Sequence, residues 1–211
     1  MNGDLRKNWN NNTMNGSKGT NSVSKNTSIV ISGPAAVGKT TLAESLAKIF
    51  GYTIFNGGDI LKNIAKDKGY TVTGNDWWDT AEAVRFMEER KNDISFDIKV
   101  DKMLVEIAEN GKAVITSYTL PWLTQQPMTF WLNASPKSRS KRMAKRDNIS
   151  ITEALKIIKN RDAENRRIYK KIYGRQFGEN LLIFDVVLNT ELYTLGSLVY
   201  FSKELYRRAI E

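Results

Sequence analysis

The pattern of apolar and polar positions divides the chain into short alternating segments. Residues Met1 to Thr27 hold few apolar side chains and carry Asn at positions 2, 8, 10, 11, 12, 15, 21 and 26. Little burial is available there to offset ordering entropy, so a disordered Asn-rich tail over 1–27 is expected. At Ser28 the pattern changes. Ser28-Ile29-Val30-Ile31-Ser32 is a β-branched run that ends at Gly33, as a buried parallel strand would. Leu42, Leu46 and Ile49, with Ala43 and Ala47, then recur at helical spacing, and Gly51 closes that helix. A strand over Tyr52 to Phe55 follows, then helices over about 59–69, 78–91 and 96–109, then strands over Ala113 to Ser117 and Met128 to Leu132. Ser135-Pro136 starts another helix, with Ser as cap and Pro in the first position. Ser150-x-x-Glu153 is a capping box opening a long basic helix to about Tyr173. Leu181 to Leu188 reads as a last strand and Leu195 to Ala209 as a closing amphipathic helix. Strands alternating with helices predict an α/β fold, a doubly wound parallel sheet of five strands covered on both faces.

Composition sharpens this by exclusion. The chain has 211 residues, 41% of them hydrophobic and 26% charged, which suits one globular domain with its own core. Cysteine and histidine are both absent. That removes disulfides, a thiolate nucleophile, Cys- or His-ligated metal and Ser-His-Asp catalysis, and with them most hydrolase and metalloenzyme chemistry. No apolar run is long enough to cross a bilayer, and the N-terminus lacks a signal-peptide core, so a cytoplasmic protein is expected. The net charge of +9 is concentrated: residues 137–175 hold 14 Lys/Arg against four acids, leaving 18 basic against 19 acidic residues elsewhere. Such a segment suits phosphates, whether of a small nucleotide or of a nucleic-acid backbone, and is equally compatible with a solvated helix face.

The most specific signal is Gly33-Pro34-Ala35-Ala36-Val37-Gly38-Lys39-Thr40, which satisfies G-x-x-x-x-G-K-S/T between an expected strand and an expected helix. The glycines let backbone N–H groups converge on phosphate oxygens at the positive end of the following helix. This assigns the nucleotide phosphates to Gly33, Ala35, Ala36, Val37, Gly38, Lys39, Thr40 and Thr41, with Lys39 on the β- and γ-phosphates as a catalytic cation and the Thr40 hydroxyl on Mg²⁺. No base-reading N-K-x-D of a GTPase is present, and the chain is short for a motor or helicase. The small size, and a basic helix that could serve as a lid, favour a small-molecule kinase.

Four stretches carry a family resemblance over about residues 28–210: SGPAAVGKTTLAESLA, NGGDILKNIAKDKG, WLNASPKSRSKRMAKRDNISITEALKIIKNRDAENRRIYKKIYG and FDVVLNT. They resemble, in order, the opening strand, loop and helix, the S-x-G-D-I-F-R-E-x-A segment, the strand with R-x-x-R helix and lid, and the D-L-V-I-N-T strand of the archaeal type of cytidylate kinase, in the nucleoside monophosphate kinase group. The resemblance implies transfer of the γ-phosphoryl group of ATP to the 5′-phosphate of CMP or dCMP. It also implies acceptor-binding helices at about 58–110 and a lid at about 147–175. Arg161 and Arg166, five apart on the lid helix, are then catalytic cations for the transferring group, and Arg142, three after Arg139, flanks the nucleotide.

The departures lie in the acceptor half. Lys62 stands where the family has Arg after G-D-I-F. Ile115-Thr116-Ser117-Tyr118 stands for L-E-G-R, and Val100-Asp101-Lys102-Met103 for I-D-R-R. Lysine replaces a bidentate arginine poorly. Thr116 leaves its strand without an acid to hold magnesium-bound water, for which Asp59 is the nearest substitute. Acceptor contacts therefore fall to Asp59, Lys62, Asp101, Lys102 and Tyr118. Trp77, Trp78 and Trp122 lie in or near the same region, where core packing is favoured over base stacking. Two other functions stay open: a P-loop kinase for another small phosphate or hydroxyl acceptor, and a nucleotide-binding protein with little catalysis. Partners are expected to be small nucleotides, with neither nucleic acid nor membrane, for a monomeric protein.

Overall fold

The computed structural model describes residues 25–72, 77 and 80–211. Residues 1–24 of the expected tail and Trp78 lie outside the described residues. Five strands form one sheet: β1 (Ile29–Ser32), β2 (Thr53–Asn56), β3 (Ala113–Thr116), β4 (Met128–Asn133) and β5 (Val186–Asn189). Their order is β2-β3-β1-β4-β5, every pair parallel, with Val30 opposite Ile115 on one side and Thr129 on the other. Seven α-helices are described: α1 (Lys39–Phe50), α2 (Gly57–Asp67), α3 (Ala81–Asn92), α4 (Ser95–Asn110), α5 (Pro136–Asp147), α6 (Ile151–Tyr173) and α7 (Leu195–Ile210).

The alternation along β1 sorts the two faces. Val30 and Ile115 join Ile60, Trp77, Phe86, Phe96 and Leu104 beneath the α2–α4 helices. Ile29, Ile31, Val114 and Phe130 join Leu42, Leu46 and Tyr206 beneath α1 and α7. A strand whose successive side chains enter opposite cores needs the unbroken apolar run seen at 29–31. This is the doubly wound α/β arrangement expected from the chain's alternation.

Local signals explain the boundaries. Ser135, Ser150 and Thr194 each accept a hydrogen bond from the backbone N–H three residues on, opening α5, α6 and α7. Asn26 and Thr27, placed in the tail on composition, are tied to the body. The Asn26 carbonyl accepts from Lys112 N–H at 2.7 Å, and the Tyr206 hydroxyl donates to the Thr27 carbonyl at 2.5 Å. At Gly111, with φ +79°, a Cβ would lie 2.4 Å from that Asn26 carbonyl, so only glycine lets the segment pass.

One element differs from expectation. The apolar run 181–188 is a strand only from Val186. Phe184 instead packs against Trp122 and Trp131, and the Asp185 carboxylate accepts from both the backbone N–H and the hydroxyl of Thr129. Leu181, Ile183 and Phe184 serve a side cluster rather than the ladder.

Candidate active site

β1 has β3 on one side and β4 on the other, so the strand order reverses at its carboxyl end, where open α/β sheets bind ligands. The loop 33–38 emerges there and runs into α1. Gly33 has φ +140°, and a Cβ on it would lie 2.3 Å from the Leu132 carbonyl of β4. Gly38, the N-cap of α1 at φ +104°, is exposed with open space around it. No side chain caps α1 and no acid occupies its first turn, so the N–H groups and dipole of a 12-residue helix remain directed at an incoming anion. Ala35 and Val37 are buried and fix the loop, Ala36 adopts φ 59°, and Thr40 and Thr41 present exposed side chains.

Lys39 curls back over this cradle. Its Nζ donates to the Gly33 carbonyl at 2.8 Å and the Pro34 carbonyl at 2.9 Å, and stands 4.7 Å from the centroid of the Tyr118 ring. Arg142 also reaches the loop: Nη1 donates to the Val37 carbonyl at 3.2 Å and the Thr190 hydroxyl at 2.8 Å, and Nη2 to the Thr190 carbonyl at 2.5 Å. It thereby ties the loop to the end of β5.

Sequence spacing did not single out Arg139, which the structure buries at the centre of the donor half. Its Nη1 donates to the Ala35 carbonyl at 3.0 Å, its Nε to the Ala134 carbonyl at 3.2 Å, and its Nη2 to Asp162 on α6 at 2.8 Å. The R-x-x-R pattern held both arginines but not which would face inward.

Arg161 and Arg166 are both exposed on α6. Five residues of α-helix turn about 500°, so they stand about 140° apart around the axis. Asp162 and Tyr169 mark the face turned to the loop: one is paired with Arg139, and the other lies 6.0 Å from the Tyr118 ring beneath Lys39. Arg166 falls within that 162–165–166–169 stripe. Arg161 falls outside it, where its charge helps hold the Asp147 carboxyl below its usual range, after the larger effect of Arg146.

The acceptor residues divide. Asp59 sits in the first turn of α2, exposed, accepting from the Asn56 side chain, which in turn caps its backbone N–H at 2.8 Å. Lys62 follows half-buried, and Lys102 is exposed. Asp101 differs in kind. Both its oxygens are engaged inside the protein, Oδ1 by the Thr119 hydroxyl and Oδ2 by the Tyr173 hydroxyl, each at 2.5 Å. Burial raises its carboxyl to a pKa of about 6, against the lowering effect of those two hydroxyls. Asp101 is thus a joint between α4, the loop after β3 and the end of α6, rather than a side chain presented to a ligand. Around Tyr118 lies an aromatic wall: Phe177 at 5.1 Å, with Trp122 and Trp131 beyond it. Trp77 is fully buried against Phe86, a core residue.

The cradle fits nucleoside triphosphate phosphates. Among the described residues no group of three or more His, Cys, Asp or Glu is placed to hold a metal ion. Mg²⁺ bound through one hydroxyl and substrate phosphates needs no such cage, and the exposed Thr40 suits that mode.

The family model for the cytidylate kinase-like family matches residues 28–192. The chain belongs to this family. It is 32% identical over 168 residues to a cytidylate kinase of Ignicoccus hospitalis, covering 79% of this chain and 91% of that protein. With a cytidylate kinase of Pyrobaculum aerophilum it shares 29% identity over 176 residues, 82% of this chain and 89% of that one. Among solved structures, shikimate kinase from Acinetobacter baumannii in complex with shikimate superposes with TM-score 0.55 at 13% identity, covering 90% of this chain and 98% of that one. An uncharacterized protein from Eubacterium ventriosum gives 0.58 at 13% identity, covering 86% and 98%. At such identities these two speak for the fold alone. No helix among the described residues is long and apolar enough to cross a membrane.

Proposed function

We propose that the chain transfers the γ-phosphoryl group of ATP to the 5′-phosphate of a nucleoside monophosphate, CMP or dCMP. The observation that carries this is the uncapped α1 terminus with Lys39 folded across it, in a chain of the cytidylate kinase-like family. Phosphoryl transfer asks little covalent chemistry of a protein and much alignment and charge neutralisation. The N–H groups of residues 35–41 hold the phosphates, and Lys39 exchanges two carbonyl partners for phosphate oxygens. Mg²⁺, held through Thr40, supplies further charge neutralisation when bound. Arg166, from the α6 face turned to the loop, adds charge where it builds up in the transition state. Arg161 then acts further out, and Arg142 flanks the nucleotide beside Val37 and Thr190. Asp59, Lys62, Lys102 and Tyr118 form the acceptor side, with α6 as its lid. The protein works as a cytoplasmic monomer on small nucleotides, without nucleic acid or membrane.

A second acceptor class is favoured by one observation: Tyr118 and Thr116 stand where the resemblance places an arginine and an acid. ADP formation measured with CMP, dCMP, UMP, AMP and GMP, with cytidine and deoxycytidine as hydroxyl acceptors, and with no acceptor separates the readings. The highest kcat/KM with CMP or dCMP is expected. Turnover on a hydroxyl acceptor with none on monophosphates would replace the acceptor assignment. ATP binding without any acceptor-dependent ADP would replace the kinase by a nucleotide-binding protein.

A further inference from the structure

Lysine carries its charge on a flexible four-carbon stem, so a catalytic lysine needs something to fix the ammonium before substrate arrives. A carboxylate would do so, but it would compete with phosphate and repel it. Lys39 has a neutral arrangement: two carbonyls at 2.8 and 2.9 Å, and the Tyr118 ring 4.7 Å away. The face of an aromatic ring attracts a cation without bearing net charge, and so can release it to a phosphate.

Tyr118 is itself firmly placed. The preceding Ser117 donates its N–H to the Ile31 carbonyl at 3.3 Å, and its hydroxyl accepts from the N–H groups of Thr119 and Leu120 at 3.2 and 3.1 Å. The ring is held edge-on by Phe177 at 5.1 Å and flanked by Tyr169 at 6.0 Å. Its aromatic neighbours fix the plane on which Lys39 rests.

We propose that Tyr118 is a positioning residue for Lys39, its ring face serving as a neutral seat that holds the ammonium at the mouth of the phosphate loop. The inference rests on Lys39 binding ATP phosphates, as the proposed reaction requires. It assigns this effect to the ring, on the donor side of the reaction, and leaves acceptor contact to the hydroxyl.

A double-mutant cycle tests it. Tyr118→Leu removes the π face, Tyr118→Phe keeps it, and each is made alone and with Lys39→Met. Calorimetric ATP affinity is read first, then kcat and KM for both substrates. Tyr118→Leu is expected to weaken ATP binding about fivefold and to lower kcat, while Tyr118→Phe recovers ATP affinity to within about twofold. In the Lys39→Met background, Tyr118→Leu changes ATP affinity less than about 1.5-fold. Equal losses for Leu and Phe, or a Leu effect that persists without Lys39, would overturn the proposal. So would a Leu variant whose only defect is a raised acceptor KM. If the Leu variant does not fold, Tyr118→Met takes its place, and the Lys39–Tyr118 coupling is read from melting temperatures without nucleotide. Absence of acceptor-dependent ADP from the unaltered protein would refute the kinase reading separately, and the ATP-binding cycle would still decide the role of Tyr118.

Discussion

Arg139 and Asp162 form a buried ion pair, Nη2 to Oδ2 2.8 Å, with both side chains no more than 10% exposed. It joins α5 to α6 while the same guanidinium holds the loop carbonyl of Ala35. Removing one partner of a buried pair leaves an uncompensated charge and costs about 3–5 kcal/mol. Asp162→Leu and Arg139→Met should therefore each lower the melting temperature by roughly 6–20 °C. The double variant should recover part of that loss. A double variant as unstable as the sum of the two singles would show that the pair itself contributes little.

Gly33 and Gly38 make a contrast within one loop. At Gly33 a Cβ would overlap the Leu132 carbonyl at 2.3 Å, a clash between backbones that neither strand can relieve. Gly33→Ala should destabilise by more than about 2 kcal/mol. At Gly38 nothing lies within 4 Å, so Gly38→Ala should cost only the left-handed strain of about 1 kcal/mol. Thermal melts of both variants measure this, and equal losses would contradict the close approach of β1 and β4.

The helical phase of α6 separates Arg161 from Arg166. Arg166→Ala should lower kcat at least tenfold, as expected for a cation acting on the transition state. Arg161→Ala should lower it less than about threefold, being off the face turned to the loop. Both should leave the KM for ATP within about threefold. The opposite ranking in steady-state kinetics would reverse the orientation assigned to α6 during turnover.

Asp101 makes stability depend on pH in an unusual direction. Its carboxyl titrates near 6 in the folded protein because of burial, against 3.8 ordinarily. Between those values the folded state binds a proton that the unfolded state releases, so stability is full below about pH 4 and is lost as pH rises through 6. The loss amounts to about 3 kcal/mol. Glu89, lowered by the hydrogen bond from Lys68, and Asp93, lowered by the backbone of Ser95, act in the opposite sense. The difference between the unaltered protein and Asp101→Asn in denaturant melts from pH 4 to 7 is therefore the measurement. A difference independent of pH would refute the shifted carboxyl. Asp97, Arg90 and Tyr173 also act on this carboxyl and are unchanged in the comparison.

What the sequence disclosed was mostly local. The β-branched run at 29–31, the glycine-rich loop, Ser135-Pro136 and the Ser150 cap each contain the physical reason for their own structure within a few residues. The hydrogen bond from Glu153 N–H to the Ser150 hydroxyl at 3.1 Å needs nothing distant. Relations between distant residues were not legible. Arg139 and Arg142 look alike in sequence, and only the packing of α5 decides which turns toward Asp162. Asp101 looked like an acceptor contact because a motif aligned it; its engagement with Thr119 and Tyr173 comes from three separate elements. At 181–184 an apolar run matched a strand by composition, but the rings of Trp122 and Trp131 gave Phe184 somewhere else to pack.

The two anchors of α6 have a mechanical consequence. Asp162 fastens its middle to α5 and the phosphate loop, and Tyr173 fastens its end to Asp101 on α4. The anchors are 11 residues apart, about 16 Å along the axis. A rod pinned at two such points cannot tilt over the donor site without pulling on α4. The helix therefore behaves as a beam linking two supports, and in the proposed reaction a movement of its arginines toward ATP would be transmitted to α4.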